Sequence, residues 1–226
     1  MKRSEINTII RESVEFFNHM KFELPPFAHF TEEDWVKGKD KYKEILELQL
    51  GWDITDFGHN DFSREGLLLF TLRNGRLGDE NYQKPYAEKI MIVQEEQYTP
   101  MHYHWSKMED IINRGGGNLL ITFYQADEND QFSKEDMTIS FDGICKTVRA
   151  GETVRLLPGE SVTIPQKVFH TFCGEEAKGP VLTGEVSMVN DDSHDNNFFN
   201  PVGRFPEIEE DEKPFRLIGS DYVRFL

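Results

Sequence analysis

Residues 100–109 read Pro100-Met101-His102-Tyr103-His104-Trp105-Ser106-Lys107-Met108-Glu109 and contain two histidines and a glutamate. His102 and His104 are two positions apart. On a β-strand that spacing places both imidazoles on the same face, because side chains alternate across a sheet. Glu109 follows after a short break that returns it to the same end of the sheet. Since two imidazoles and a carboxylate suit Mn²⁺, Fe²⁺, Co²⁺, Ni²⁺ or Zn²⁺, the segment predicts a metal site on β-structure.

A site of this kind often takes one more ligand from a distant strand, and His170 is the best candidate. It ends a strand-like run that follows two turn residues, Gly159 and Pro165. A single histidine in an apolar setting is usually a hydrogen-bonded structural residue, whereas three histidines and a glutamate in this arrangement favour a metal centre. We therefore predict that one divalent cation is bound by four residues, His102, His104, Glu109 and His170.

The composition excludes several classes of partner. The chain has 226 residues, of which 41 are acidic and 25 basic, for a formal net charge of −16. A body this acidic repels phosphate backbones and anionic lipid surfaces, so we expect no nucleic-acid or membrane partner. No apolar stretch approaches the length of about 18 residues that a transmembrane helix needs. The two cysteines, Cys145 and Cys173, are too few for a disulfide scaffold and fit a reduced, cytoplasmic protein.

The N-terminal part of the chain predicts helices, and the rest predicts strands. Apolar residues recur at three- and four-residue steps from Ile6 to Met20 behind Ser4 as N-cap, and a second helix is expected over 31–48 behind Thr31. From about residue 65, short apolar runs alternate with turn residues at roughly ten-residue spacing, which is typical of a β-sandwich or barrel. We expect a single domain made of a helical extension (1–50), a β-barrel core (about 65–200) and a C-terminal tail (201–226).

The two histidine segments resemble the paired motifs of the cupin superfamily, whose fold is a double-stranded β-helix barrel of the jelly-roll type. The chain matches the two motifs at seven positions, His102, His104, Glu109, Gly116, Gly159, Pro165 and His170. It departs from them at Glu96 and Lys167, which replace turn glycines, and at Gly174, which replaces an asparagine. The resemblance implies a mainly β cupin barrel, with an extra hairpin near 127–142 because the segment between the motifs is long.

A longer string extends the resemblance to one cupin family. Residues 100–117, the helical N-terminus and the total length are similar to bacterial D-lyxose isomerases over nearly the whole chain. Those enzymes are aldose–ketose isomerases that prefer Mn²⁺. The resemblance implies interconversion of D-lyxose with D-xylulose and, less efficiently, of D-mannose with D-fructose. It also implies a homodimer and a divalent metal, Mn²⁺ first, with Co²⁺, Fe²⁺ or Zn²⁺ as alternatives.

Aldose–ketose isomerisation moves hydrogen between C1 and C2, as a proton through a cis-enediol or as a metal-assisted hydride. Either route needs a cation that polarises the carbonyl and groups that exchange protons. Lys107 would share a face with Glu109 on a regular strand, and we expect like charge and desolvation to depress its pKa. Lys89 stands beside Glu88 on the preceding apolar strand, where one of the two points inward, and Glu185 is a carboxylate within a later apolar strand. We predict Lys107, Lys89 and Glu185 as the catalytic residues.

The polar run over 190–197 is dense in groups that bond hydroxyls. It either rims a sugar pocket or forms a polar turn, and the turn is favoured. Trp105, Phe198 and Phe199 are candidates for a pocket wall, and Arg204 is a candidate to close it.

Other functions of a cupin metal site stay open at this point. An Fe(II) dioxygenase needs a similar metal but an apolar or thiol-binding pocket, whereas Lys107 and Glu185 favour a polyhydroxylated substrate. A phosphosugar isomerase needs groups arranged for phosphate, and the chain has no Gly-rich phosphate loop. A non-enzymatic sugar-binding cupin would hold a structural metal in a closed shell. Fold alone does not separate these functions.

Overall fold

A computed structural model describes residues 1–203 and 206–224. The helices are α1 (Arg3–His19), α2 (Glu32–Gly38) and α3 (Lys43–Glu47), with 3₁₀ helices at Pro26–His29, Lys39–Lys41 and Gly219–Arg224. The strands are β1 (Gly51–Thr55), β2 (Leu67–Arg73), β3 (Tyr86–Val93), β4 (His102–His104), β5 (Glu109–Gly116), β6 (Leu119–Gln125), β7 (Met137–Phe141), β8 (Ile144–Val148), β9 (Thr153–Leu156), β10 (Ser161–Ile164), β11 (Val168–Gly174), β12 (Val181–Met188) and β13 (Asn196–Phe198).

Two antiparallel sheets pack face to face. The larger sheet has the order β1-β2-β3-β12-β5-β10-β7-β8, and the smaller has the order β13-β4-β11-β6-β9. Their facing sides bury a continuous apolar cluster that includes Leu69, Met91, Ile111 and Phe123. Because the chain passes repeatedly from one sheet to the other, the sheets form a jelly-roll barrel. The predicted mainly β cupin barrel is confirmed.

The helical N-terminus covers part of the outer face of the larger sheet. Ile6, Ile10 and Phe17 lie along one side of α1 and are buried in a second cluster with Trp52 and Phe70 of β1 and β2. The predicted helical extension is therefore confirmed, and its apolar side packs against the barrel. None of the helices in the described ranges is long and apolar enough to cross a membrane.

The start of α1 differs from the prediction. The helix begins at Arg3 with Lys2 as its N-cap residue, and the backbone N–H of Lys2 donates to the Glu5 carboxylate at 2.7 Å. The Ser4 hydroxyl donates instead to Asp211, at 2.7 Å, near the other end of the chain. Ser4 was predicted as the cap from its local sequence alone, and the long-range contact with Asp211 takes its side chain away from that role.

The predicted helix over 31–48 is broken into α2, a 3₁₀ turn and α3. Thr31 does cap α2, since its hydroxyl accepts the N–H of Asp34 at 3.3 Å and its own N–H donates to the Asp34 carboxylate at 2.8 Å. The break has a packing cause. A Cβ atom on Gly38 would lie 2.1 Å from the ring of Tyr42, which packs edge-on against Trp35. A larger residue at position 38 would require the Tyr42 ring to move out of this packing.

The backbone conformation at two turns explains two departures from the cupin motifs. β10 ends at Ile164, and His170 lies inside a new strand, β11, rather than at the end of the first. Lys167 in the intervening turn has φ = +60°, and Glu96, where the first motif has glycine, has φ = +56°. Both residues adopt the left-handed conformation that favours glycine. The backbone path of each motif is therefore kept although the glycine is not.

The strands begin earlier than expected, since β1 at Gly51–Thr55 joins the larger sheet ahead of residue 65. The segment expected to hold an extra hairpin contains a short antiparallel turn, in which Ala126 is bridged to Phe132. It also contains the first strand of a regular hairpin, β7–β8, which continues to Val148. The loop of this hairpin is Asp142-Gly143, with φ of +50° and +81°, which is the two-residue turn that suits a twisted hairpin.

Candidate active site and metal centre

The three motif histidines meet in the smaller sheet. His102 and His104 lie on β4, and His170 on β11 is the register partner of His102. One ring nitrogen from each histidine lies within 4.8 Å of the other two. The alternation of β4 turns Tyr103, between the two histidines, to the opposite side, where it packs against Phe169. The sequence spacing therefore places the imidazoles as predicted.

A backbone carbonyl orients each imidazole. The Nδ1 atoms of His102, His170 and His104 lie, respectively, 2.8 Å from the carbonyl of Pro100, 3.0 Å from that of Val168 and 3.3 Å from that of Asp195. A carbonyl only accepts hydrogen bonds, so each neutral ring carries its proton on Nδ1 and presents the lone pair of Nε2. Histidines that bind metals usually donate their other ring N–H in this way, which fixes the tautomer and the orientation of the ring.

Glu109, the first residue of β5, faces the histidines from the larger sheet. Its Oε1 lies 2.9 Å from Nε2 of His170, and its Oε2 lies 3.4 Å from Nε2 of His104. Even so, the buried Nε2 of His170 makes no hydrogen bond within the described residues. A buried polar atom without a partner is costly, and a cation shared by the three Nε2 atoms and the carboxylate would satisfy it. Three imidazoles and one carboxylate fit Mn²⁺, Fe²⁺, Co²⁺ or Zn²⁺.

The environment keeps these groups in their metal-binding forms. Burial lowers the pKa of His102 well below its ordinary value, and burial, with the nearby Lys107 ammonium, lowers the pKa of His104. Burial alone would raise the pKa of Glu109, but the Lys107 ammonium outweighs burial and holds the pKa of this carboxyl well below its ordinary value. At neutral pH the site therefore offers the uncharged imidazoles of His102 and His104 and the ionised carboxylate of Glu109.

Lys107, Lys89 and Glu185 meet beside the histidines. Nζ of Lys107 lies 2.8 Å from Glu109 and 2.9 Å from Glu185, and Nζ of Lys89 lies 3.3 Å from the same Glu185 oxygen. Lys89 is the inward member of its pair, while Glu88 contacts Arg73 outside. The four predicted metal ligands and the three predicted catalytic residues all line one cavity.

One expectation for Lys107 is wrong. β4 ends at His104 and β5 begins at Glu109, so Lys107 lies in the connecting bend rather than on a strand shared with Glu109. The expected fall in its pKa assumed a bound cation. Without the cation, burial lowers the pKa of its ammonium group, but Glu109 and Glu185 outweigh burial and raise the pKa above its ordinary value. Lys107 is then protonated, and it can donate a hydrogen bond or a proton.

The polar run that was interpreted as a turn also forms the rim of the site. Oδ1 of Asn190 accepts hydrogen bonds from Lys89 at 2.5 Å and from Lys107 at 3.4 Å. Asp192 and Asn196 line the cavity. The signal was present in the density of amides and carboxylates directly after β12, the strand that carries Glu185. Only the packing of this run against β4 shows that it belongs to the site.

The cavity has a volume of about 50 Å³, which is small beside the few hundred Å³ that are usual for drug-sized ligands. Phe198 lines it as predicted, with its ring 5.5 Å from that of His102. Trp105 and Phe199 lie elsewhere: Trp105 is 40% exposed, and Phe199 stacks on Phe132. Phe57 and Thr99 also line the cavity and were missed, because nothing in their local sequence marks them. Arg204 lies outside the described residues.

Comparison with known proteins agrees with this fold and identifies the family. A family model described as D-lyxose isomerase matches residues 1–222. A D-lyxose/D-mannose isomerase of Serratia proteamaculans is 49% identical over 227 residues, and one of Escherichia coli O157:H7 is 47% identical over 226 residues; each match covers 100% of both chains. An L-ribose isomerase structure from Geodermatophilus obscurus shares the fold, with a TM-score of 0.62 over 92% of this chain and 98% of that chain at 16% identity. The chain therefore belongs to the D-lyxose isomerase family and is an aldose–ketose sugar isomerase.

Proposed function

We propose that this chain, as a single cupin domain, is a metal-dependent isomerase that interconverts D-lyxose with D-xylulose and, less efficiently, D-mannose with D-fructose. The observation that carries the proposal is one cavity that combines three histidine nitrogens within 4.8 Å of one another with Glu109 and a buried Lys107–Glu185 pair. Two relatives named D-lyxose/D-mannose isomerase, about half identical over their full lengths, support the choice of sugars.

His102, His104, Glu109 and His170 would hold the cation. Mn²⁺ is the proposed metal, with Co²⁺, Fe²⁺ or Zn²⁺ as alternatives that the same nitrogen and oxygen donors accept. When bound, the cation would supply Lewis-acid polarisation of the sugar carbonyl. Two observations support this role. Nε2 of His170 has no hydrogen-bond partner among the described residues, and backbone carbonyls orient Nδ1 of His102 and of His170.

Glu185 and the two lysines handle the protons. Burial raises the pKa of Glu185, but Lys107 and Lys89 outweigh it and lower the pKa, so the group is a desolvated, ionised carboxylate. In the enediol route, Glu185 takes the proton from C2 and returns it at C1. Lys107 gives a proton to the carbonyl oxygen O1 as negative charge develops there, and it takes one back from the O2 hydroxyl as C2 becomes the carbonyl carbon. Lys89 keeps Glu185 ionised and in place.

The charges of the cavity favour a free sugar over a sugar phosphate. In the described part of the cavity, each lysine is already paired: Lys107 with Glu109 and Glu185, and Lys89 with Glu185. Asp192 on the rim adds negative charge. A phosphate group needs cations or backbone N–H groups arranged for it. The amide-rich rim instead suits hydroxyl groups, which also weighs against an Fe(II) dioxygenase.

A homodimer is part of the proposal, and the larger sheet offers a surface for it. Tyr86, Met108, Val186 and Met188 are between 39% and 44% exposed on its outer face, beyond the reach of the helical layer. They are neighbours, because Met188 is the register partner of Tyr86 and its N–H donates to the carbonyl of Met108. Monomeric proteins rarely expose such clusters, so contact with a second copy would bury them.

The remaining partners and the location follow from charge and cysteine chemistry. The net charge of −16 supports the proposal that the protein binds neither nucleic acid nor membrane surfaces. Cys145 and Cys173 are both free thiols, which supports a reducing, cytoplasmic location.

The decisive experiment is an isomerase assay on chelator-stripped protein, with and without Mn²⁺, on D-lyxose and D-mannose. We expect ketose only with metal, and faster from D-lyxose. His170→Gln should abolish activity and Mn²⁺ binding, whereas His19→Gln, an exposed histidine at the end of α1, should change neither. If the metal-loaded wild type produces no ketose from either sugar, the proposed function is wrong and a binding cupin becomes the better interpretation.

A further inference from the structure

The segment that carries Lys107 is not held by strand pairing. Residues 105–108 connect β4 to β5, and none of them lies in a strand. Yet Nζ of Lys107 is placed within 3 Å of two carboxylates from the opposite sheet. Some other contact must fix the path of this bend.

The side chain of Asp195 supplies two such contacts, in addition to the Gln166 amide, which donates to the carbonyl of Ser106 at 3.0 Å, and the N–H of Met188, which donates to the carbonyl of Met108 at 3.0 Å. Oδ1 of Asp195 accepts the backbone N–H of Ser106 at 2.7 Å, and its Oδ2 accepts the backbone N–H of Lys107 at 2.9 Å. One carboxylate thus holds two consecutive amides, with one oxygen for each. Hydrogen bonds to an ionised acceptor are shorter and stronger than neutral ones. Asp195 is 9% exposed, so water competes little for these bonds.

The backbone of Asp195 makes a separate set of contacts. Its carbonyl accepts the N–H of Trp105 at 3.3 Å and lies 3.3 Å from Nδ1 of His104. The next residue, Asn196, pairs in register with His104 through β13 and β4. The metal-facing histidine is therefore oriented by a main-chain atom of Asp195, whereas the lysine segment is held by its side chain. A side-chain substitution separates the two effects.

We propose that Asp195 is a positioning residue for the isomerisation: its carboxylate fixes the 105–107 bend and thereby sets the ammonium of Lys107 between Glu109 and Glu185. This inference rests on the isomerase function proposed above. Asp195 need not touch the sugar, because it acts through Lys107. A displacement of about 1 Å in a catalytic group is enough to cost roughly 100-fold in rate.

The test is Asp195→Asn, which keeps the size of the side chain but supplies only one acceptor oxygen for two N–H donors. We expect kcat to fall about 10- to 100-fold. We expect the KM for D-lyxose and the Kd for Mn²⁺ to change by less than about threefold, because the carbonyl that orients His104 remains. Asp195→Glu, which restores two acceptor oxygens, should recover part of kcat, and it also serves as the second variant if the asparagine protein does not fold.

Asp127→Asn is the matched control. Asp127 also holds two backbone amides, since its Oδ1 accepts the N–H of Asn129 at 2.8 Å and that of Gln131 at 2.9 Å, and it does not line the cavity. We expect its kcat to stay within about twofold of wild type, the size of effect that a typical surface substitution has. An equal loss in both variants would mean that the loss does not depend on the 105–107 bend and would overturn the assignment to Asp195.

Two further measurements separate positioning from general stability. In a Lys107→Met background, Asp195→Asn should cause no additional loss of kcat, since residues that act through one another are not additive. A full additional loss, or a fall in Mn²⁺ affinity that matches the fall in kcat, would overturn the proposal. Hydrogen exchange of the Ser106 and Lys107 amides should accelerate in metal-free Asp195→Asn. This measurement needs no turnover, so it tests the role of Asp195 even if the wild type proves inactive on sugars. Unchanged exchange rates would show that the Asp195 carboxylate does not hold the bend.

Discussion

Replacing Lys107 with methionine removes the positive charge from a buried cluster and leaves two carboxylates close together. Lys107, Glu109 and Glu185 have side chains only 3% to 6% exposed, and the lysine nitrogen lies 2.8 Å and 2.9 Å from the two acids. Removing one partner of a buried ion pair costs about 3–5 kcal/mol, because the remaining charge stays desolvated. Lys89 still faces Glu185, so the uncompensated charge falls mainly on Glu109. We expect metal-free Lys107→Met to lose about 3–5 kcal/mol of unfolding free energy.

Mn²⁺ should restore part of that loss. Glu109 is one of the proposed ligands, so a divalent cation supplies the positive charge that the variant lacks. A ligand that binds only the folded state stabilises it in proportion to the logarithm of its affinity. The variant also lacks the ammonium that repels the cation, so Mn²⁺ should stabilise it by about 1 kcal/mol more than it stabilises the wild type, equivalent to about fivefold tighter binding. Turnover of D-lyxose should nonetheless fall about 10²- to 10⁴-fold, because the proton donor is gone.

The assay is urea unfolding of chelator-treated and Mn²⁺-saturated protein, together with kcat for D-lyxose. Lys37→Met is the matched control, because Lys37 lies 2.7 Å from Glu33 but is 68% exposed. An exposed pair of this kind contributes less than about 0.5 kcal/mol. If metal-free Lys107→Met loses no more than the control, the buried-charge reasoning is refuted. If its loss is the same with and without Mn²⁺, Glu109 is not a metal ligand.

Three other perturbations test separate parts of the molecule. Glu96→Gly should stabilise the protein by about 0.5–1 kcal/mol, because glycine adopts φ = +56° without strain. As a control, Glu12→Gly in α1 should destabilise it by about 1 kcal/mol. Thermal melts in which both variants lose stability would contradict this reasoning. Glu210 accepts two hydrogen bonds from Arg3, which lower its pKa. A folded-state pKa below the unfolded value stabilises the protein above the unfolded pKa of about 4.3 and ceases to do so as the pH falls through the folded pKa. The urea midpoint of Glu210→Gln should therefore lie below that of wild type at pH 7 and approach it at pH 3, and a gap independent of pH would refute the linkage. Met188→Lys should convert the proposed dimer to monomer in light scattering, and an unchanged mass would place the interface elsewhere.

Patterns of short range were predictable from the sequence because their geometry is local. The two-residue spacing of His102 and His104 allows only one arrangement on a strand, and the structure has it. The apolar period of α1 likewise predicted the face that packs on the barrel. The helix expected over 31–48 failed because its periodicity competes with the packing of Tyr42 at Gly38.

Charge states were less predictable, because they depend on groups that are distant in the sequence. Without a bound cation the pKa of Lys107 rises, because Glu109 lies 2.8 Å from its nitrogen and Glu185, 78 residues away, lies 2.9 Å from it. The polar run after β12 was interpreted as a turn for the same reason. Nothing in its local pattern reveals that Asn190 contacts both Lys89 and Lys107.

The sequence by itself determined the class of the barrel, the four candidate metal ligands and the three candidate proton-handling residues, since each is carried by residue type and by spacing along one strand or motif. The tertiary structure decided which groups face one another: that Lys107 is held between two carboxylates, that Asp195 supports its backbone from 88 residues away, and that the rim comes from a polar run beside β4. Electrostatic energy depends on distance and burial in space, and neither quantity can be obtained from the order of residues along the chain.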